Sequence, residues 1–402
     1  MPQHFRNYIL KSLGLWLLAV PVAWADTAGP FEPLTFDEGV VFSPPDGRFR
    51  SALRFRMQNL LEASSRSGSD LELAELRARV RRARIRLSGF AGDPRLTYQL
   101  QLSFSREDMD WSETRFPNVV RDANLTYALI QDPEQVFSVS FGQGKLPGNR
   151  QRVISSGELQ FADRSLVNRV FNIDRDFGFQ ALYRRELWSL RGSITTGEGR
   201  NAPLASDAGL GYVGRVEFLP LGSFLSREDY VEGDLKRHPS PRVGIGFSHA
   251  VFRRSDRAGG TIGTVFTTTG NPTTGAPLLS DQSVSFLDAI AKYRGWSLQI
   301  EYARRTSPNG VLSADQALFE GSGFMVQSGY LFTEKLEGVV RFARVSPEAR
   351  SKVDPRNVLM AQTTAGWNYY LQGHRIKLQG DLTRQSLSHD SWVARFNVEL
   401  GI

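Results

Sequence analysis

The chain has 402 residues, 49 of them lysine or arginine against 42 acids, a formal net charge of +7 and a mean hydropathy of −0.30. Cysteine is absent, which excludes thiol catalysis, iron–sulfur clusters, cysteine-based zinc sites and disulfides together. These averages fit a membrane barrel and a soluble β-protein equally, so the decision rests on pattern.

At the amino end, Arg6 and Lys11 flank a short polar start and Leu13 to Val22 form an apolar run. Ala23-Trp24-Ala25 then offers a small-x-small cleavage site before Asp26. That is the form of a secretory signal, too short and wrongly flanked for a spanning helix. Residues 1–25 are thus expected to be a signal peptide, 26–50 an N-terminal periplasmic segment, and 51–402 the body of the protein. Nothing else approaches an apolar run of membrane length. A mature chain that enters a membrane must do so as a closed barrel.

Sixteen segments alternate apolar and polar residues: 51–60, 82–90, 95–105, 120–130, 136–142, 177–184, 187–195, 209–218, 241–252, 284–294, 296–305, 323–332, 335–344, 360–371, 374–384 and 391–402. The third sets Leu96, Tyr98, Leu100, Leu102 and Phe104 against Thr97, Gln99, Gln101 and Ser103. The tenth is the weakest, since its parity slips near Phe286-Leu287, as at a β-bulge. The last runs to the carboxyl end, with Trp392, Ala394, Phe396, Val398, Leu400 and Ile402 on one face. Alternation about ten residues long suits a strand with lipid outside and water inside. Trp188, Trp296, Trp367, Tyr369 and Trp392 fall on the apolar parity near strand ends, as an aromatic girdle requires and a soluble sandwich does not.

Connections alternate between short, such as Asp132-Pro133-Glu134 and Arg294-Gly295, and long, through 63–81, 106–119, 143–176, 196–208, 253–283, 306–322 and 345–359. Short periplasmic turns against long outer loops are the organisation of an outer-membrane barrel. One connection breaks the rule: 219–240 should be a tight turn but is long and rich in charge and proline, an elaborated periplasmic loop. The pattern predicts an all-β, 16-stranded antiparallel transmembrane barrel of the outer-membrane kind.

On the water-facing parity the arginines gather. Arg54 and Arg56 lie on the first segment, Arg82, Arg84 and Arg86 two apart on the second, then Arg184, Arg191, Arg215, Arg305, Arg341, Lys377 and Arg395. Arg54, Arg82, Arg84 and Arg86 form a ladder along one wall. Acids on that parity are fewer: Asp122, Glu217, Glu301, Glu337, Asp381 and Glu399. A cationic lumen concentrates anions and repels cations. The opposing reading has interior charges neutralise each other and merely fill the barrel. The run Arg77 to Arg86 could suggest nucleic acid, but the export signal and its continuation as a strand argue against such a partner.

The connection 143–176 is too long to be a passive link and mixes apolar with basic residues, Arg150, Arg152, Arg164 and Arg169 among them. Folded into the lumen, it would place guanidinium groups and hydroxyls at the narrowest point, a set that matches phosphate.

The stretch from Phe141 to Gly178 resembles the third-loop region of the phosphate-selective porin O and P family. The likeness rests on the Gly-Gln-x-Lys start, Ser155-Ser156, the run Arg164-Ser165-Leu166, and Arg175-Asp176-Phe177-Gly178. Lys292 to Tyr302, Gly329-Tyr330 and Asn368 to His374 extend it over nearly the whole mature chain. The resemblance implies a homotrimer of sixteen-stranded barrels, an inward-folded third loop, and arginine-lined passage of phosphate-like anions. It implies a central anion site of Arg56, Asp122, Arg152, Ser155, Ser156 and Arg164. Two departures stand out. Arg152 occupies a position where lysine is expected, and the chain closes on Gly401-Ile402 rather than an aromatic.

No Gly-x-Ser-x-Gly elbow, His-Glu-x-x-His, P-loop or calcium-loop pattern occurs. Asp174-Arg175-Asp176 reads as a salt-bridged anchor. A barrel enzyme would need a Ser or Asp nucleophile beside a histidine on an adjacent strand, and parity suggests no such pair. Neither a metal nor another cofactor is expected.

Overall fold

Each of the sixteen alternating segments forms a strand in the computed structural model, which describes residues 39–109, 117–201, 209–255, 280–308, 319–353, 357–387 and 389–402. The expected signal peptide, 1–25, lies outside the described residues, as do parts of the long connections. In chain order the strands are β1 (Val40–Phe42), β2 (Phe49–Ser65), β3 (Leu73–Ala91), β4 (Asp93–Ser103), β5 (Val120–Gln131), β6 (Gln135–Lys145), β7 (Arg175–Arg185), β8 (Trp188–Thr195) and β9 (Gly211–Phe218). The second half comprises β10 (Arg242–Ser255), β11 (Ser280–Tyr293), β12 (Trp296–Thr306), β13 (Gly321–Leu331), β14 (Leu336–Pro347), β15 (Met360–Gln372), β16 (Ile376–Ser386) and β17 (Asp390–Gly401).

From β2 onward each strand pairs antiparallel with the next, and β17 returns to β2, so the sheet has no free edge. Closure leaves no unpaired sheet edge to face lipid, the condition for crossing hydrocarbon. The short β1 does not add a seventeenth stave. It pairs with β2 at Leu53 to Ser51, directly beyond the point where β17 pairs down to Arg56, and so continues the stave that β17 leaves. Ile402 exchanges both backbone hydrogen bonds with Phe55, at 3.1 and 2.9 Å. The wall therefore begins at Val40, ahead of the boundary expected at residue 51.

Outward residues follow the apolar parity, with Trp188, Trp296, Trp367 and Tyr369 exposed on the rim. Trp392 is half-buried, its indole N–H donating to the Gly68 carbonyl at 3.1 Å. The tight turn at Arg294-Gly295 has positive φ at both residues (48° and 88°), the conformation that matches the twist of a two-residue hairpin.

Two expectations are corrected. Residues 63–81 are mostly strand, because β2 and β3 continue well beyond the other staves. In β3 the run Arg77 to Arg86 keeps its alternation by a bulge: Gln58 pairs with Arg82 and Asn59 with Val80, so Arg81 is left over. Arg81 and Arg82 then both point inward, and the arginine row continues through Arg79 toward the mouth. Conversely, no bulge occurs at Phe286-Leu287, where β10 and β11 stay in unbroken register from Arg242 to Phe252.

The parity at Phe286 looked wrong because its inward neighbour is protein and not water. Residues 146–174 fold into the lumen, as expected of the third loop, carrying α1 (Arg150–Val153) and α2 (Leu166–Phe171). Ser165 caps α2 by accepting from the Asn168 N–H at 3.2 Å. Leu166, Val167, Val170 and Phe171 pack against inward apolar residues of the far wall, including Phe252, Val284, Phe286, Met325 and Val345. Gly323 on β13 makes room: a Cβ there would lie 2.7 Å from Cε2 of Phe171. The opposite parity therefore faces water on only part of the barrel.

The loop is also bolted by charge. Arg150 is fully buried, donating to Asp288 Oδ1 at 2.8 Å and Glu217 Oε1 at 3.1 Å. It is an anchor for α1, not a pore-lining cation. Residues 219–240, the anomalous connection, likewise turn into the lumen from the end with the short turns, through a 3-10 turn at Leu225–Tyr230.

Candidate functional site

With 146–174 packed on the far wall, the open lumen runs along β2–β8. Two cavities follow it. One of about 600 Å³ is lined by eleven basic and five acidic side chains, contributed by β3, β5, β6, β7, β8, the inward loop, and Glu107, Asp108 and Arg200 of the connections after β4 and β8. The other, about 750 Å³, lies toward the short-turn end between Arg54, Arg56 and residues of 219–240. Arg84, Arg86, Gln101, Ser155 and Glu158 line both, and so mark the throat between them.

All six site residues implied by the resemblance line these cavities, Arg56 the second, Ser155 both and the others the first, and five of them present donors. Ser156 Oγ accepts from Arg56 Nη1 at 2.8 Å and from Arg84 Nη1 at 2.9 Å. Ser155 is exposed to the lumen. Arg152 lines the first cavity but is ion-paired to Asp174. Arg164 lines it too, donating from Nε to the Gln151 carbonyl at 2.7 Å and from Nη2 to the Ile154 carbonyl at 2.8 Å. Asp122 is the exception: both its oxygens are held by Arg175, at 2.9 and 3.0 Å, which leaves it a brace with little capacity for a ligand. The ladder residues Arg54, Arg82, Arg84 and Arg86 face inward along the same wall. Arg82 is tied to Gln58 and the Ala162 carbonyl, and Arg84 to Asp108.

Sequence reasoning missed Lys145 as a site residue, although it stands in the Gly-Gln-x-Lys motif. Its Nζ donates to the Val153 and Ile154 carbonyls at 3.0 and 3.3 Å. Those are orphan carbonyls at the C-terminal end of α1, which favour cations. Lys145 and Arg164 thus sit side by side on neutral acceptors, and neither makes an ion pair among the described residues. A cation without a counter-charge in a cavity is available to a mobile anion.

The inward acids tell the complementary story, for each of the six is already engaged. Glu217 accepts from Arg150, Arg215 and Tyr230. Glu301 accepts from Asn149 Nδ2 at 2.9 Å, and Glu337 from Gln160, Asn368 and the Tyr370 hydroxyl at 2.6–2.9 Å. Glu399 holds Arg56 at 2.6 Å and Gln58 at 2.7 Å, and Asp381 pairs with Arg395 at 3.3 Å. Neutralising pairs do fill the barrel, then, both where the inward segments meet the wall and along the cavity, where Asp108, Asp122 and Asp174 hold Arg84, Arg121, Arg152 and Arg175. The open wall keeps its basic excess.

Asp174-Arg175-Asp176 is the anchor expected: Arg175 bridges Asp174 and Asp122, while Asp176 accepts from the Thr196 hydroxyl and the Gly197 N–H, both at 2.8 Å. A Ser–His pair on adjacent strands does exist, contrary to the parity reading. His249 faces Ser285 across β10 and β11, Nδ1 to Oγ 2.9 Å, with Ser283 at 3.4 Å from Nε2. It lies on the exposed outer face, and among the described residues no carboxylate orients its ring, so it has the form of mutual polar satisfaction. Among the described residues, Glu228, Asp234 and His238 come close enough to hold a metal. Both His238 nitrogens are engaged, Nδ1 with Asp234 at 2.6 Å and Nε2 with the Leu225 N–H at 3.2 Å, and Lys292 pairs with Glu228 at 3.3 Å. That donor set is a satisfied brace and does not fit a metal.

A sequence model of the family described as phosphate-selective porin O and P matches residues 54–382. Among solved structures, a loop-deletion mutant of OmpT, an outer-membrane protein of Vibrio cholerae, is similar with TM-score 0.57 at 10% identity, covering 88% of this chain and all of that one. OmpF of Salmonella typhi gives 0.54 at 11%, covering 90% and 100%, and the outer-membrane channel DcaP of Acinetobacter baumannii gives 0.52 at 9%, covering 90% and 99%. At such identities these likenesses establish the fold alone. No curated protein matches the chain.

Proposed function

Because the chain belongs to the phosphate-selective porin O and P family, we propose that it forms an arginine-lined, water-filled channel for small anions, phosphate or polyphosphate foremost. Its place is the Gram-negative outer membrane, reached through a cleaved signal peptide and held in lipid as a homotrimer. The observation that carries anion passage is the cavity lining of eleven bases and five acids. An anion entering from the mouth meets Arg79, Arg81 and Arg82, then the throat at Arg84, Ser155 and Ser156. There Lys145 and Arg164 supply charge not already matched by an acid. Ser155 adds a neutral donor, and Arg56 and Arg84 already converge on Ser156, so an anion replacing that hydroxyl would gain two guanidinium donors. Arg152 contributes field more than direct contact, since Asp174 holds it. Asp122 serves by fixing Arg175. No step makes or breaks a covalent bond: the work is electrostatic selection and passage.

The deciding experiment is a planar-bilayer recording of chloride current with phosphate added. Phosphate should block the current in a concentration-dependent way. Chloride current indifferent to phosphate would favour the second reading, a general small-solute porin without phosphate preference.

A further inference from the structure

Residues 219–240 have no role in the reading above, and their geometry is unlike that of a turn. The segment leaves β9, enters the lumen and returns to β10, closing on itself through the Asp234–His238 brace. It grips the wall by donating from Arg237 Nη2 to the carbonyls of Leu331 and Thr333, at 2.9 and 3.1 Å. Its tip is Glu232, which is 2% exposed. Every polar group of that residue is spent on the inward loop or the wall behind it. The Glu232 N–H donates to the Glu158 carbonyl at 2.9 Å. Its carboxylate accepts from Gln160 N at 2.8 Å, Gln151 Nε2 at 3.2 Å and Gln327 Nε2 at 2.9 Å. Its carbonyl accepts from His374 Nε2 at 2.8 Å.

No cation reaches ion-pairing distance of this carboxylate among the described residues. Neutral N–H donors alone hold a buried carboxyl group here, which demands good geometry and leaves little freedom. The stretch it grips is the throat turn 155–160, also held by Lys377 Nζ at the Gly157 and Leu159 carbonyls, 2.8 and 2.7 Å. The other side of 219–240, at Glu228, Val231, Leu235 and Lys236, lines the exit cavity.

We propose that 219–240 is a second constriction element, entering opposite the third loop, and that Glu232 is the positioning residue that locks the two together and sets the width of the pore exit. The inference needs only that the protein is a pore, so it stands apart from phosphate preference.

Glu232→Ala and Glu232→Asp test it, with Ser223→Ala, an exposed site on the same segment, as control. Each is read for single-channel conductance in potassium chloride, for the size limit of neutral sugars in liposome swelling, and for reversal potential. Glu232→Ala should raise conductance by about twofold and admit larger sugars, with Glu232→Asp between it and wild type, since pore width sets what passes. The sign of ion selectivity should not change, because the basic wall is untouched. A purely stabilising role would lower yield and leave conductance alone, and a purely electrostatic one would move reversal potential at constant sugar limit. Either result, in a barrel that migrates as folded, overturns the proposal. Should Glu232→Ala fail to assemble, Glu232→Asp decides by the same readouts.

Discussion

Arg164→Ala is the sharpest perturbation of the proposed anion site. Arg164 lines the cavity and makes no ion pair among the described residues, and its two hydrogen bonds, 2.7 and 2.8 Å, run from Nε and Nη2 to loop carbonyls. A hydrogen bond to a charged group is worth about 1.5–3 kcal/mol. Removing one such donor should weaken phosphate block by about one to two powers of ten, since ~1.4 kcal/mol is tenfold. The loop should survive, because Lys145 keeps its bond to Ile154, α2 stays packed on the far wall, and the space left by the Arg164 side chain opens on the cavity it lines. Arg164→Lys, which restores charge without the planar fork, should fall between. Concentration-dependent block of chloride current in planar bilayers reads all three. The control is Arg77→Gln at the exposed mouth, because Arg395, though lumen-facing, holds Glu62 and Asp381 and its loss would free two carboxylates. Equal block in Arg164→Ala and wild type, or an equal loss in Arg77→Gln, would refute the site.

Lys145→Met preserves bulk and removes the second uncompensated charge, and should weaken phosphate block by about tenfold in the same assay. Phe171→Ala removes a fully buried ring that meets Phe319 edge-on at 5.8 Å. The cost, about 3–5 kcal/mol for such a truncation, should fall on loop docking and not on the barrel. Conductance should therefore become larger and noisier while heat-modifiable migration stays normal. Edman sequencing of protein extracted from outer membranes should begin at Asp26, and an intact Met1 would contradict signal cleavage.

Strands were legible because lipid outside and water inside impose a period of two on every stave. The same rule hid what lies inside. At Phe286, Val284 and Met325 the inward neighbour is α2, so apolar residues stand on both parities and mimic a slipped register. The doubled Arg81-Arg82 carried a readable sign of the bulge, since alternation changes phase at that pair. The arginine ladder and the serine pair followed from spacing and resemblance. The fate of the acids did not. Glu217 and Glu337 look like lumen charges in a one-dimensional pattern, and only the return of distant segments shows that Arg150 and Gln160 consume them. Lys145 was overlooked because its worth lies in what it lacks, an acid partner, which spacing cannot show. The length of 219–240 marked it as unusual, while its direction depends on Glu232 meeting donors from the inward loop, from β13 and from His374.

Central to all of this is a lumen whose open wall is net basic after the interior pairs are counted. Reversal potential across a potassium chloride gradient tests it most directly, because it reads the sign of the field that a permeating ion meets. Chloride should permeate better than potassium. Equal or potassium-favouring permeability would mean that the arginines of β3 are neutralised in the working channel, and the account would fail at its base.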